Sequence, residues 1–100
     1  MTLPVTFRRA ARAEFIEATA WYEAQCLNLG VEFIAEIQRC VALIAEQPKL
    51  YAVVYKGIRR ITAKRFPYSV YFRAETQRIV ILAVFNGSRD PTIWQGEANG

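Results

Sequence analysis

Basic and aromatic side chains in the second half of the chain are the ones whose types and spacing could do chemistry. Arg and Lys side chains can stabilise the negative charge that develops when a phosphodiester bond breaks. A Lys or Tyr side chain can move the protons that such a reaction requires. The side chains that could take part are Lys64, Arg65, Tyr68, Tyr71, Arg73 and Arg89. The structural alternative for the two tyrosines is packing on opposite faces of a sheet.

The same basic side chains could instead bind an acidic partner. Between Gln47 and Ala74 the chain has seven Lys or Arg residues and no Asp or Glu. An unbalanced cluster of this kind raises a positive potential over one face, which attracts an acidic protein or a phosphate backbone. Aromatic residues alternate with these charges, as in sheets that bind RNA, but no RNA-binding signature sequence accompanies them. The structural alternative is a solvated strand whose charges keep a sheet edge from aggregating.

The composition excludes several other kinds of site. The chain has no histidine, which excludes His-activated nucleophiles and metal sites that need His. It also lacks a Gly-rich phosphate loop and a nucleophile elbow, so we expect no cofactor and no metal. Glu14 and Glu17 are expected to be solubilising charges on a helix. Cys26 and Cys40 are expected to be two buried thiols, with a disulfide between them as the alternative.

Hydrophobic periodicity predicts a strand followed by two helices in the first half of the chain. Leu3–Arg8 alternates apolar and polar residues, which is typical of a strand. From about residue 10 the spacing becomes helical and stays so to about Cys26, after which Asn28 or Gly30 could supply a left-handed cap. A second helix follows and should end at Pro48. Because the connection is short, the two helices should form an antiparallel hairpin.

The rest of the chain predicts three consecutive strands. They are Ile58–Ala63, Tyr68–Ala74 and Ile79–Phe85, the last of which is apolar without alternation, as in a central strand. Leu50–Tyr55 is aromatic and β-branched but could be an irregular arm. The predicted fold class is therefore α+β. A strand, a two-helix hairpin and a three-stranded antiparallel meander should place both helices on one face of a mainly antiparallel sheet.

Length and composition predict one folded domain. A chain of 100 residues is the size of a single domain, and we expect it to span residues 1–100, with about 95–100 as a loose tail. The longest apolar run is seven residues, whereas a helix that crosses a membrane needs about 20. The N-terminus shows no signal-peptide pattern. With a formal net charge of +4, the chain is expected to be a basic cytoplasmic protein.

Several strings of residues are specific when they are taken together. They are Gly57–Ile61, Arg65–Arg73, Ile79–Phe85, Gly87–Pro91 and Trp94, preceded by Ala11–Phe15 and Gln47–Pro48. In this order and spacing they resemble the RelE/ParE toxin superfamily, and most of all its ParE branch. The resemblance covers nearly the whole chain.

The resemblance implies the toxin of a bacterial type II toxin–antitoxin module, of the kind associated with plasmid stabilisation. Its partner would be an acidic, ParD-like antitoxin that wraps the toxin and blocks it. ParE-like members inhibit DNA gyrase, whereas RelE-like members cleave messenger RNA in the ribosomal A site. Both branches share one fold, so the fold alone does not decide between them. A third alternative is an inert member that only binds an antitoxin.

Single positions within the resemblance favour gyrase over the ribosome. Ribosome-dependent members carry Arg directly after the strand tyrosine, where this chain has Ser69. They often carry a catalytic Tyr or His near the C-terminus, where Trp94 is the closest residue here. If the chain were a nuclease, the resemblance would assign catalysis to Arg60, Tyr68 and Arg89. Because this set is incomplete, the resemblance implies a protein that inhibits gyrase by binding rather than an enzyme.

Partner binding is expected to use the basic second half of the chain. Apolar anchors of the antitoxin should lie over the groove between helices and sheet, and its acidic residues should face the cations. The residues expected to bind partners are Lys56, Arg59, Arg60, Lys64, Arg65, Arg73, Arg89 and Trp94. Direct binding of nucleic acid is left open.

Overall fold

The strands form one mixed sheet, and the computed structural model describes residues 2–87 together with Arg89, Thr92 and Gln95. The elements are β1 (Val5–Phe7), α1 (Arg9–Gln25), α2 (Leu29–Glu46), a 3-10 turn (Pro48–Leu50), β2 (Val53–Tyr55), β3 (Ile58–Thr62), β4 (Tyr68–Ala74) and β5 (Ile79–Asn86). The strand order is β1-β5-β4-β3-β2, and β1 runs parallel to β5 while the other pairs are antiparallel. The predicted α+β class is confirmed. The meander has four strands rather than three, because part of Leu50–Tyr55 pairs with β3 as the short edge strand β2.

The helix hairpin depends on a left-handed residue and on a close contact. Asn28 takes the left-handed conformation, with φ of 71°, and directly precedes α2. The carboxylate of Glu23 accepts hydrogen bonds from the backbone N–H groups of Asn28 (2.9 Å) and Gly30 (3.0 Å), which satisfies donors at the start of α2. Gly30 is helical and buried rather than a cap. A Cβ atom at Gly30 would lie 2.8 Å from the carbonyl oxygen of Thr19, so glycine lets the helices approach.

Both faces of the sheet carry apolar clusters, and the helices cover one of them. The cluster under the helices joins α1 and α2 to the strands through Ala11, Ala18, Tyr22, Phe33, Ile37, Cys40, Ile44, Ile61, Val70, Phe72, Ile79, Ile81 and Val84. The cluster on the opposite face consists of Ile58, Tyr71, Val80, Leu82, Ala83 and Phe85. Strand β5 contributes to both clusters, which is why its sequence is apolar without alternation.

An aromatic cluster fixes the helices to the start of β4. The ring of Phe33 on α2 is at its centre, with centroid distances of 5.9 Å to Phe15, 5.0 Å to Tyr22, 5.2 Å to Phe66 and 5.1 Å to Tyr68. Most of these pairs are tilted or edge-on, the arrangement that aromatic rings prefer over face-to-face stacking. The cluster therefore positions Tyr68 and the loop before it.

The two cysteines differ in exposure, which corrects the prediction of two buried thiols. Cys40 is buried in the middle of α2, as expected, whereas Cys26 is exposed. Cys26 directly follows α1 in an extended conformation, where the chain leaves the core to reach the next helix. Both thiols are free, so the alternative of a disulfide is wrong for this structure.

Candidate functional site

The hairpin of β2 and β3 positions the first group of cations. Lys56 and Gly57 form its two-residue turn, with positive φ angles of 41° and 79°, as in the type I′ turns that suit the twist of a hairpin. Arg59 is half-buried, and its Nη1 donates a hydrogen bond of 2.6 Å to the carbonyl oxygen of Tyr51. Arg60 is exposed and forms no ion pair within the described residues. Arg59 therefore fixes the chain before β2, while Arg60 is available to a partner.

The loop between β3 and β4 carries the second group of cations and is held by two acids of α2. The carboxylate of Glu36 accepts a hydrogen bond of 2.6 Å from the backbone N–H of Lys64 and pairs with Arg39, also at 2.6 Å. Glu32 pairs with Arg65 at 2.6 Å. The hydrogen bond from Arg39, and to a lesser extent that from the N–H of Lys64, lowers the pKa of Glu36 to about 2, although burial opposes the shift. The α2 helix thus fixes the loop through an ionised carboxylate.

The predicted partner-binding residues extend along the sheet rather than forming one patch. Lys56 lies near the C-terminal end of β4, because Arg59, three residues farther along the chain, pairs with Phe72 close to that end. Arg73 lies at that end too. Lys64 and Arg65 lie near the other end of β4, in the loop that precedes it. Arg89 lies near the same end, because the N–H of Gly87 donates a hydrogen bond to the carbonyl oxygen of Pro67. Trp94 lies outside the described residues.

A cleft of about 540 Å³ between α1 and the end of β5 brings together other residues that the sequence singled out. Its lining includes Glu14, Glu17, Trp21, Tyr68, Asn86 and Arg89. The guanidinium of Arg89 also lies 5.3 Å from the centroid of the Phe85 ring. Arg60 is not part of this cleft, because it pairs with Tyr71, whose side chain packs on the face opposite the helices. Two of the three residues assigned to a nuclease therefore line the same cleft, and the third is on the other face of the sheet.

Glu14 has a structural contact that the sequence did not predict. Strand β1 pairs with β5 only over Ile79–Ile81, because the chain then leaves the sheet to start α1. Farther along the same edge, the backbone N–H of Val84 donates a hydrogen bond of 3.0 Å to Oε1 of Glu14. Glu14 is half-buried, whereas Glu17 is exposed, so the expectation of a solubilising charge is wrong for Glu14.

Among the described residues, two exposed apolar surfaces stand out beside this cleft. One is a groove of about 520 Å³ between α1 and α2, whose rim includes Ile16 and Val31. The other lies at the outer edge of the sheet, where Leu50, Val53 and Val54 are exposed at 71%, 51% and 38%. Within the described residues, no cluster of His, Cys, Asp or Glu could hold a metal ion. In that same part of the chain, no helix has the length and apolar character that a membrane span needs.

Comparison with known proteins gives the family. A family model described as the ParE toxin of type II toxin-antitoxin system, parDE, matches residues 5–91. The chain belongs to the ParE toxin family. A solved structure titled "Chromosomal ParDE TA system from P. aeruginosa" has the same fold, with a TM-score of 0.72 and 20% identity over 85% of this chain and 96% of that chain. A search of curated proteins gave no match.

The ParE match includes every surface described above. It begins at β1 and ends after β5, so the cleft, the helix groove and the β2–β3 hairpin all lie within the ParE domain. The resemblance to the ParE branch is thereby confirmed, while the roles of single residues remain predictions.

Proposed function

We propose that this ParE-family chain is the toxin of a toxin–antitoxin pair and that it acts by binding DNA gyrase rather than by cleaving RNA. The observation that carries the proposal is the separation of the nuclease candidates. Tyr68 and Arg89 line the α1–β5 cleft, whereas Arg60 lies on the opposite face of the sheet. A nuclease needs its charge-stabilising groups around one reacting phosphate, and losing one such group typically lowers the rate by about 10²–10³-fold.

The position after the strand tyrosine supports the same conclusion. Ser69 is buried, and its hydroxyl lies 3.4 Å from the hydroxyl of Thr62 in the adjacent strand. This position therefore supplies a neutral hydroxyl where ribosome-dependent relatives are expected to have a cation. A binding inhibitor does not need that charge.

The partner of the toxin is proposed to be an acidic antitoxin. Lys49, Arg60 and Lys64 are exposed, and the ion pairs of the described residues do not include their side chains. A partner with clustered carboxylates would complement them and would be attracted over long distances. Blocking of toxicity by the antitoxin then requires only that it cover the surface that reaches gyrase.

Pulse-labelling after induction tests the target. Incorporation of thymidine and methionine is followed in one bacterial culture, with and without co-expression of the antitoxin encoded beside the toxin gene. We expect DNA synthesis to fall before protein synthesis and the antitoxin to prevent both effects. The purified chain should then inhibit supercoiling by the cognate gyrase. Unaffected supercoiling at micromolar excess of toxin would contradict the proposal.

The second candidate is a RelE-like ribonuclease that cleaves messenger RNA on the ribosome. It is favoured by one observation, that Tyr68 and Arg89 lie in the same open cleft. This candidate predicts cleaved transcripts in a translating extract and loss of cleavage in Arg89→Ala. An earlier fall in protein synthesis than in DNA synthesis would select it over gyrase inhibition.

A further inference from the structure

Strand β2 forms an outer edge of the sheet, because it is the last strand in the order β1-β5-β4-β3-β2. The N–H of Arg60 donates to the carbonyl oxygen of Ala52 at 3.3 Å, so the backbone groups of Arg60 point towards β2. The N–H and C=O groups of Arg59, the preceding residue, therefore point away from β2. Val53 is the residue of β2 that lies opposite Arg59. In antiparallel pairs of this kind the backbone groups of both residues point away from each other. The N–H and C=O of Val53 thus face outwards.

The side chains along this edge are apolar and exposed. Val53 and Val54 are exposed at 51% and 38%, and the register of β2 against β3 is irregular between Val53 and Tyr55. Leu50, just before the strand, is exposed at 71%. Edge strands of isolated proteins are usually protected by charges, proline or a covering segment. An edge with outward-facing backbone groups and exposed apolar side chains is suited to pairing with another strand.

The charges beside this edge decide which kind of chain can pair with it. Lys49, Lys56 and Arg60 flank it, and no acidic residue lies between Gln47 and Ala74. A second copy of this chain, paired edge to edge, would bring these cations opposite each other, which is destabilising. An extended segment with alternating acidic and apolar residues would instead place carboxylates beside the cations and apolar side chains on the valines. Charge complementarity therefore selects an acidic partner over a second copy.

The edge is also held in place before any partner arrives. The type I′ turn at Lys56 and Gly57 fixes the hairpin, and the hydrogen bond from Arg59 to the carbonyl oxygen of Tyr51 fixes the entry into β2. A strand that is already ordered loses less conformational entropy on binding.

We infer that β2 is a docking edge at which an extended acidic and apolar segment of the antitoxin adds to the sheet as a further strand. The inference rests on the proposed function only in taking the antitoxin as the partner. Its distinctive claim is a backbone hydrogen bond at the N–H of Val53.

Amide hydrogen exchange of Val53 tests the inference in the unmodified proteins. The measurement compares the full chain alone with its purified complex with the antitoxin encoded beside the toxin gene. We expect the Val53 amide to exchange at least about 100-fold more slowly in the complex, because strand pairing buries and bonds it. A complex that forms with unchanged exchange at Val53 would overturn the docking edge and leave the proposed function intact. Absence of any complex would overturn both.

Variants test the same edge through affinity. Val53→Pro removes the outward N–H, which β3 does not use, and is expected to weaken antitoxin binding at least about tenfold. Val53→Thr keeps the N–H and a β-branched shape and should retain most of the affinity. At physiological salt Arg60→Glu should also weaken binding, whereas Arg9→Glu, at the start of α1 and at the opposite edge of the sheet, should not, because salt screens the distant charge. If Val53→Pro fails to fold, Arg60→Glu against Arg9→Glu and the exchange measurement still decide.

Sedimentation of the chain alone tests whether a second copy of the chain pairs with the β2 edge. A monomer is expected, because edge-to-edge pairing of two copies opposes like charges. A dimer that Arg60→Glu strengthens and Val53→Pro abolishes would identify a second copy as the occupant and would overturn the inference.

Discussion

The Glu36 carboxylate joins α2 to the loop between β3 and β4, and its charge is essential for that link. It accepts the backbone N–H of Lys64 and pairs with Arg39, and its side chain is 13% exposed. Since the hydrogen bonds favour the ionised form, the pKa of Glu36 is lowered to about 2 in the folded protein. The loop that presents Lys64 is therefore held in place by an acid that stays ionised at neutral pH.

Acid titration should reveal this link as a loss of stability. A carboxyl group whose pKa is lower in the folded state stabilises above its unfolded pKa, and the stabilisation is lost as pH falls through the folded pKa. For Glu36 that window runs from the ordinary value of 4.5 down to about 2. The contribution is at most about 3 kcal/mol. We expect the free energy of unfolding of Glu36→Gln to be lower than wild type at pH 7 and to converge with it near pH 2.

Urea denaturation at a series of pH values measures this difference. Glu46→Gln is the control, because Glu46 is an exposed carboxyl group at the end of the same helix. A constant gap between Glu36→Gln and wild type from pH 7 to pH 2 would show that the carboxylate charge does not stabilise the fold.

Glu14 provides a second test at a single residue. Removing its side chain leaves the N–H of Val84 without the carboxylate that accepts its hydrogen bond, which should cost about 1–2 kcal/mol. Glu17→Ala, three positions along the same helix, removes an exposed charge and should be close to neutral. We expect Glu14→Ala to lower the free energy of unfolding and to speed amide exchange at Val84. Equal stability of the two variants would contradict this role.

The sequence could indicate functional residue types but not these contacts. The chemistry of Tyr68 and Arg89 marks them as candidate site residues, and they line one cleft. The sequence does not predict the backbone contacts of Glu14 and Glu36, because their partners lie 70 and 28 positions away in the chain. Both are acids on predicted helices, where solvated charges are common, and no local pattern distinguishes an acid that bonds a distant backbone group.

At the scale of elements, the helix hairpin depends on one glycine. Gly30→Ala would improve helix propensity by about 1 kcal/mol. Its added Cβ would also lie 2.8 Å from the Thr19 carbonyl oxygen and 3.0 Å from the Cβ of Glu23. Overpacking of this kind typically costs about 1–3 kcal/mol. We expect a net destabilisation, measured by thermal or urea unfolding.

A second substitution on α2 isolates the propensity effect. Ala42 is exposed on the same helix, so Ala42→Gly reports propensity without packing and should cost about 1 kcal/mol. If Gly30→Ala proved more stable than wild type, the two helices would have room to separate, and the close approach would not be required.

Helices and long strands could be predicted because their signals are local. Helical spacing, Asn28 and Pro48 gave bounds close to those observed, and the apolar run of β5 predicted its central place in the sheet. The sequence does not decide between a strand and an irregular arm at Leu50–Tyr55, because the strand there has only three residues. Its strand character comes from pairing with β3, which is a tertiary contact. The sequence also does not predict that Asn28 takes the left-handed conformation while Gly30 lies buried within α2, since either residue suits a cap.

At the scale of the whole molecule, six of the nine acids lie on α1 and α2, whereas most Lys and Arg residues lie outside these helices. Some of these acids neutralise cations locally, as Glu32 does for Arg65 and Glu36 for Arg39. Pairing removes a cation from direct contact with a partner. The long-range field depends on net charge, however, and removing a paired cation changes that field as much as removing an exposed one. Mutations can therefore separate the long-range attraction that speeds association from the direct contacts that slow dissociation.

The rates of antitoxin association and dissociation should show this separation. Arg60→Ala and Arg65→Ala each remove one positive charge, so both should slow association at low salt by a similar factor, and the difference from wild type should shrink as salt rises. Only Arg60→Ala should speed dissociation, because the guanidinium of Arg65 is already paired with Glu32. Stopped-flow or surface-plasmon measurements at several salt concentrations give both rate constants.

Arg9→Ala serves as the control for this measurement, because Arg9 is an exposed cation at the start of α1, away from the β2 edge. At low salt it should slow association as the other two variants do, because it removes one positive charge, but it should leave dissociation unchanged, because Arg9 follows β1 at the edge of the sheet opposite β2. Faster dissociation of Arg65→Ala than of Arg60→Ala would mean that the partner takes Arg65 from Glu32. The contact surface would then lie at the β3–β4 loop rather than at the β2 edge.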